Sequence, residues 1–159
     1  MNSEQAVDPE AFVEYRLVRL AERLRRRFDA AVRPHGLTAR QFSVLAVVRS
    51  RPGVTSADLA RAVLTTPQSM GAIIDQLETA GFLQSRPRRG RGVPAPTELS
   101  AAGEKALAEA AAQVRALDTK TRQHLGEDYN VLIQILDVLE SLPDEPTTGR
   151  PRSLSHKDL

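Results

Sequence analysis

Cysteine is absent from the 159 residues, which excludes disulfides, thiolate metal sites and a thiol-oxidation switch within this chain. Tryptophan is absent too, and aromatic residues make up only 4%. That scarcity points to a helical core packed from Ala, Leu and Val. No apolar run approaches the ~20 residues needed to span a bilayer, and no signal-peptide core opens the chain. The expected location is therefore the cytoplasm, with no membrane partner. Histidine is scarce: His35, His124 and His156 fall at a helix break, near a helix end and in the C-terminal tail. None has a partner at metal-ligand spacing, and neither a Gly-rich phosphate loop nor a nucleophile motif occurs. Neither an enzyme nor a cofactor nor a metal is expected. A surplus of one charge is missing as well, the formal net charge being +2. Its distribution is uneven, however. Residues 1–100 carry 15 basic and 10 acidic side chains, whereas residues 101–159 carry 7 and 10.

The most informative stretch runs from Thr66 to Leu77. Thr66 suits an N-cap and Pro67 the first helical position, where no N–H partner is lost. Met70, Ile73, Ile74 and Leu77 recur at i, i+3, i+4 and i+7, so one face of this helix is buried. Gln68, Ala72 and Thr79 point the other way, with Ser69, Gly71 and Gln76 on the flanks. A helix that enters the major groove needs short side chains for close approach and amides to read base edges. Gly71 and Ala72 are poor choices for a merely solvated face, since Gly costs ~1 kcal/mol of helix propensity against Ala. Arg86, Arg88, Arg89 and Arg91 follow at once. Together these features suggest DNA binding.

The rest of the chain surrounds this helix with others. After a loose polar start over residues 1–8, a helix is predicted from Pro9 to Val32, with Val13, Leu17, Leu20, Leu24, Phe28 and Ala31 in a near-heptad stripe. Arg33-Pro34-His35-Gly36 ends it. Thr38 with Gln41 has the spacing of a capping box and opens a helix carrying Phe42, Leu45 and Val48. Thr55 with Asp58 starts another, short one, joined to the reading helix by Leu64-Thr65. That pair has the form of a helix-turn-helix. Gly81 is placed to stop the reading helix. Residues 82–86 and 96–99 are candidate strands around an Arg/Gly/Pro-rich loop, the second one short because Pro94 and Pro96 cannot donate to a ladder. Ser100 caps a long helix that Gly126 interrupts, and a last helix spans about 128–142. Residues 143–159 read as a disordered tail. The fold class is thus mainly α with a small β-wing, a winged helix-turn-helix over residues 37–99 flanked by long helices at 9–33 and 101–142.

In order and length this arrangement resembles the MarR family of winged-helix regulators. The residues that carry the likeness are Gly36 to Leu45, Asp58-Leu59-Ala60, Leu77 to Leu83, and Leu99-Ser100-Ala101-Ala102-Gly103. The resemblance covers roughly residues 10–142. It implies a homodimeric transcriptional regulator, expected to be a repressor released by a small anionic or aromatic ligand. Two departures stand out. Nothing acidic lies between Ser85 and Glu98, where the family's wing commonly has an acidic residue close before an arginine, and Ala72 replaces a bulkier or basic residue. The family's base preference therefore does not transfer.

The expected DNA contacts are Thr66, Gln68, Ser69 and Ala72 on the reading helix, with Arg88, Arg89 and Arg91 on the wing reaching phosphates or the narrow minor groove. The run Arg25-Arg26-Arg27 reads instead as a solvated face. The apolar stripes of the long flanking helices, at Val13-Leu17-Leu20-Leu24, at Leu107-Ala110-Val114-Leu117 and at Leu132-Ile135-Leu139-Leu142, exceed what a small domain needs to bury. Packing against a second subunit would use them and set two reading helices on a pseudo-palindromic operator. The resemblance also implies an effector pocket between the first, second and fifth helices, for which Tyr15, Arg16, His35 and Phe42 are the candidates. The rival reading is a helical protein-interaction module whose winged helix no longer binds DNA.

Overall fold

The computed structural model describes residues 8–85 and 97–142. In chain order these form α1 (Val13–Val32), α2 (Ala39–Ser50), α3 (Ser56–Ala62), α4 (Pro67–Thr79), β1 (Leu83–Ser85), β2 (Thr97–Leu99), α5 (Ala101–Leu125) and α6 (Asp128–Glu140). The chain divides into two compact units, Met1–Thr119 and Lys120–Leu159, with the boundary inside α5. Among the described residues the fold is mainly α with one two-stranded antiparallel sheet, in which Leu83 pairs with Leu99, Gln84 with Glu98 and Ser85 with Thr97.

Polar side chains at the helix starts satisfy donors that have no partner within the helix. The Thr38 hydroxyl accepts the Gln41 N–H at 3.2 Å, and the Gln41 side-chain oxygen accepts the Thr38 N–H at 2.9 Å. Thr55 and Asp58 repeat this capping box at the start of α3. The Thr55 hydroxyl donates to the Asp58 carboxylate at 2.6 Å. That bond, reinforced by the Arg61 guanidinium, holds the Asp58 carboxyl below the usual carboxylate range.

The elements differ from the sequence expectation at their ends. Asp8 accepts the Glu10 N–H at 3.0 Å and caps a separate 3₁₀ turn over Pro9–Ala11. Phe12 is then extended, so α1 begins at Val13 rather than Pro9. The first strand starts at Leu83 because the Phe82 N–H is already used, donated to the Leu77 carbonyl at 2.8 Å. The last helix ends at Glu140, where the Ser141 hydroxyl turns back to the Val138 carbonyl at 2.7 Å. The tail at 143–159 and the start at 1–7 lie outside the described residues.

The core of the first unit is built from one face of each helix. Val32, Leu37, Val44, Leu45, Leu59, Met70, Leu77, Leu83, Leu107 and Ala110 are buried together. Phe28 of α1 meets Phe42 of α2 edge to face, with ring centroids 5.3 Å apart. The α1 stripe joins this core at its Phe28 end and stays outside it further back, Leu20 and Leu24 each being 46% exposed. The α5 stripe expected to await a partner is spent on the core through Leu107, Ala110 and Val114. In the second unit α6 likewise leaves Val131, Ile135, Leu136 and Val138 exposed.

Candidate nucleic-acid interface

α3, the turn Val63–Thr66 and α4 form the helix-turn-helix. Thr65 donates its N–H to the Ala60 carbonyl at 2.9 Å, which folds the turn back on α3. Leu64 at the centre of that turn takes φ 51°. Met70 and Leu77 anchor α4 in the core with no more than 1% of their surface exposed. With this face held, Gln68, Ser69, Ala72, Asp75 and Gln76 are exposed on the other.

The start of α4 is a hydroxyl pair. Thr66 accepts the Ser69 N–H at 3.1 Å and donates its own hydroxyl proton to the Ser69 hydroxyl at 2.9 Å. The Ser69 proton is therefore left to donate outward, the role a phosphate or base acceptor needs. Its far end is a two-bond stop. Gly81, at φ 73°, donates to the Glu78 carbonyl, and the Phe82 N–H bond to Leu77 completes the motif. Across the groove from Ser69 and Ala72, the Gln41 amide of α2 donates to Gln76 at 3.3 Å. A hollow of about 530 Å³ opens there, with Asp29, Arg40, Gln41, Ser69, Ala72 and Gln76 in its wall.

The MarR family model matches residues 35–92. The HTH-type transcriptional repressor Rv2887 of Mycobacterium tuberculosis is 36% identical over 111 residues, 70% of this chain and 80% of that protein. The crystal structure of Rv2887 in complex with DNA superposes with a TM-score of 0.66 at 32% identity, covering 82% of this chain and 98% of that one. Its complex with salicylic acid gives 0.66 at 32% identity, over 80% and 96%. This chain belongs to the MarR family. Its helix-turn-helix and strand pair lie where the resemblance implied, and the reading-helix residues Thr66, Gln68, Ser69 and Ala72 come together on one exposed surface of α4. The wing residues Arg88, Arg89 and Arg91 lie outside the described residues.

Of the four expected effector residues of this MarR chain, Tyr15 and Arg16 lie near the start of α1, whereas His35 and Phe42 lie beyond its end. Seventeen residues of α1 separate Tyr15 from Val32, about 25 Å of helix at ~1.5 Å per residue. Tyr15 stacks beneath the Arg19 guanidinium at 5.8 Å, and Arg16 lines a shallow groove with Glu10 and Leu20. At the other end, the His35 ring lies 3.3 Å from the Glu109 carboxylate of α5, and Phe42 packs on Phe28. A hollow of about 380 Å³ lies between α1 and α2, walled by Ala21, Leu24, Phe28, Ala39 and Ser43 with Arg25 at its rim.

Arg25 and Asp29 form a junction that the sequence reading missed. The Asp29 carboxylate accepts the Arg25 guanidinium at 2.7 Å and the Ala39 N–H of α2 at 2.6 Å. An acid from α1 thus satisfies a free donor at the start of α2. Arg25 also bonds Glu22 at 2.8 and 3.0 Å, which raises its own pKa and holds the Glu22 carboxyl below its usual range. Of the basic run, Arg25 and Arg26 are tied into this network on α1. Only the i, i+3 and i, i+4 pairs were legible beforehand; the reach from Asp29 to Ala39 needs the loop between them to fold back.

Proposed function

We propose that this chain is a homodimeric, sequence-specific DNA-binding repressor released by a small anionic aromatic acid. The observation that carries the reading is α4: a helix pinned by Met70 and Leu77 whose free face is short, polar and amide-bearing. A face of this kind fits the major groove, where amides pair with base edges and small side chains permit close approach. Its likeness to Rv2887, which binds DNA and salicylic acid, supports both halves of the proposal. The uncovered stripes of α1 and α6 support the dimer. An obligate interface buries on the order of 2,000 Å² or more, and a two-fold pair would place its reading helices in successive major grooves ~34 Å apart. For the effector, the hollow between α1 and α2 supplies apolar walls from Leu24 and Phe28; the Arg25 guanidinium at its rim is already paired with Glu22 and Asp29, so Arg16 keeps the part of anion partner.

Salt titrations on a selected operator and on random DNA test the division of labour. Phosphate contacts give affinity without sequence information, and each one lost lowers the salt slope by about 0.9. Arg89→Ala and Arg91→Ala are expected to weaken both DNAs together and to flatten the salt dependence. Gln68→Ala is expected to weaken the operator by about 1–3 kcal/mol and leave random DNA nearly untouched. Equal loss on both DNAs from Gln68→Ala would make α4 a backbone clamp. No salt-sensitive DNA binding at all would favour the protein-docking alternative.

A further inference from the structure

Gly71, itself half-buried, differs from the other described glycines in that neither its backbone angle nor a close neighbour calls for glycine. Four of them take φ between 55° and 80°, and Gly103 would drive a Cβ into the Phe82 carbonyl. Gly71 has neither constraint. It lies within α4 without a positive φ, and a Cβ built on it meets no atom within 4 Å. At 100° per residue it falls on the flank between the half-buried Ile74 and the exposed Asp75. Inside a helix, Gly is less favourable than Ala because more backbone freedom is lost on folding. Stability alone therefore favours Ala at this position.

What a missing Cβ offers is closeness from outside. We propose that Gly71 is a specificity-determining residue: its bare backbone lets the wall of the major groove close against the flank of α4. The helix then seats deeply enough for Gln68 and Ala72, on the adjoining face, to reach base edges. A methyl group at Gly71 holds that wall off and tilts or lifts the helix. Complexes with random DNA are held by phosphate charge at a looser fit, so they do not depend on this depth. The inference rests on reading the chain as a DNA-binding repressor.

Its signature is a variant that is more stable and reads DNA less well. The full-length protein first selects a duplex from a random pool. Gly71→Ala and Gly71→Ser are then compared with it on that duplex and on a scrambled one. Gly71→Ala is expected to raise the thermal midpoint by about 2–4 °C. Its affinity for the selected duplex should fall about ten-fold or more, with the scrambled duplex bound as before. Gly71→Ser, which is larger, should lose more on the selected duplex. Undiminished binding of that duplex by Gly71→Ala overturns the inference. So does a lowered midpoint, which would give Gly71 a role in the fold, and so does equal loss on both duplexes. If the wild-type protein enriches no sequence, the repressor reading itself falls and takes this inference with it.

Discussion

Leu64 has the only left-handed backbone among the described non-glycine residues, at φ 51°, and its side chain is 91% exposed. A Cβ in that region crowds the following carbonyl and costs roughly 1–2 kcal/mol. The exposed side chain recovers little of this by burial. Its neighbour Thr65 needs the conformation, because the Thr65 N–H can reach the Ala60 carbonyl only if the chain reverses at Leu64. Leu64→Gly should therefore stabilise the protein by about 1 kcal/mol, net of the extra freedom that Gly gives the unfolded chain. Urea unfolding should show the midpoint rising with the slope unchanged. A lowered midpoint would mean that the Leu64 side chain makes contacts worth more than the strain. Nothing in the sequence marked this residue, since the backbone angle of a two-residue link depends on where the flanking helices are held.

The elements on either side of the wing are joined by a short clasp. Ser100 donates its hydroxyl to the Gly81 carbonyl, and the same oxygen accepts the Gly103 N–H at 3.0 Å. The Ser100 N–H reaches the Phe82 carbonyl at 3.0 Å. One residue thus caps α5 and ties it to the end of α4. Gly103 permits the contact: a Cβ there would lie 2.9 Å from the Phe82 carbonyl carbon and closer still to its oxygen. Ser100→Ala should cost ~1 kcal/mol, as other cap removals do. Gly103→Ala should cost more, on the order of 3 kcal/mol, because backbone atoms must move. Thermal unfolding of the two variants orders them; Gly103→Ala as stable as wild type would show that α5 can slide off Phe82 freely. The cap at Ser100 was legible from the sequence, but its bond to Gly81 was not, since 19 residues separate the two.

For the whole molecule the decisive quantity is its mass. Leu17, Leu20 and Leu24 leave an apolar stripe on α1, and Ile135 and Leu136 leave another on α6. Contiguous apolar surface of this kind marks an interaction site more often than a solvated face. Sedimentation at low micromolar concentration should give twice the 17.4 kDa of one chain. Leu20→Lys and Leu24→Glu should shift the protein towards monomer and weaken operator binding together, since a lone reading helix loses the second half-site. A well-folded wild-type monomer would remove the two-groove geometry while leaving the argument for α4 intact.

Much of this protein was written in local chemistry. Thr38 with Gln41, Thr55 with Asp58, and Thr66 with Pro67 start their helices where the sequence placed them, because capping acts over three residues. Gly36, Gly81 and Gly126 stop or break helices where expected, each at positive φ. The reading face of α4 follows from the same short-range periodicity. Where the expected effector residues lie was decided in the opposite way. Tyr15 and His35 look like neighbours in a list of suitable chemistries, but a 20-residue helix keeps them at its two ends. Which side chains share a hollow is decided by how α1 crosses α2, and that crossing placed Arg25, Phe28 and Ser43 together instead. The Asp29 bond to Ala39 and the Gln41 bond to Gln76 are of the same kind. Periodicity and capping are local and can be read along the chain; contacts between elements appear only once the core has fixed the packing.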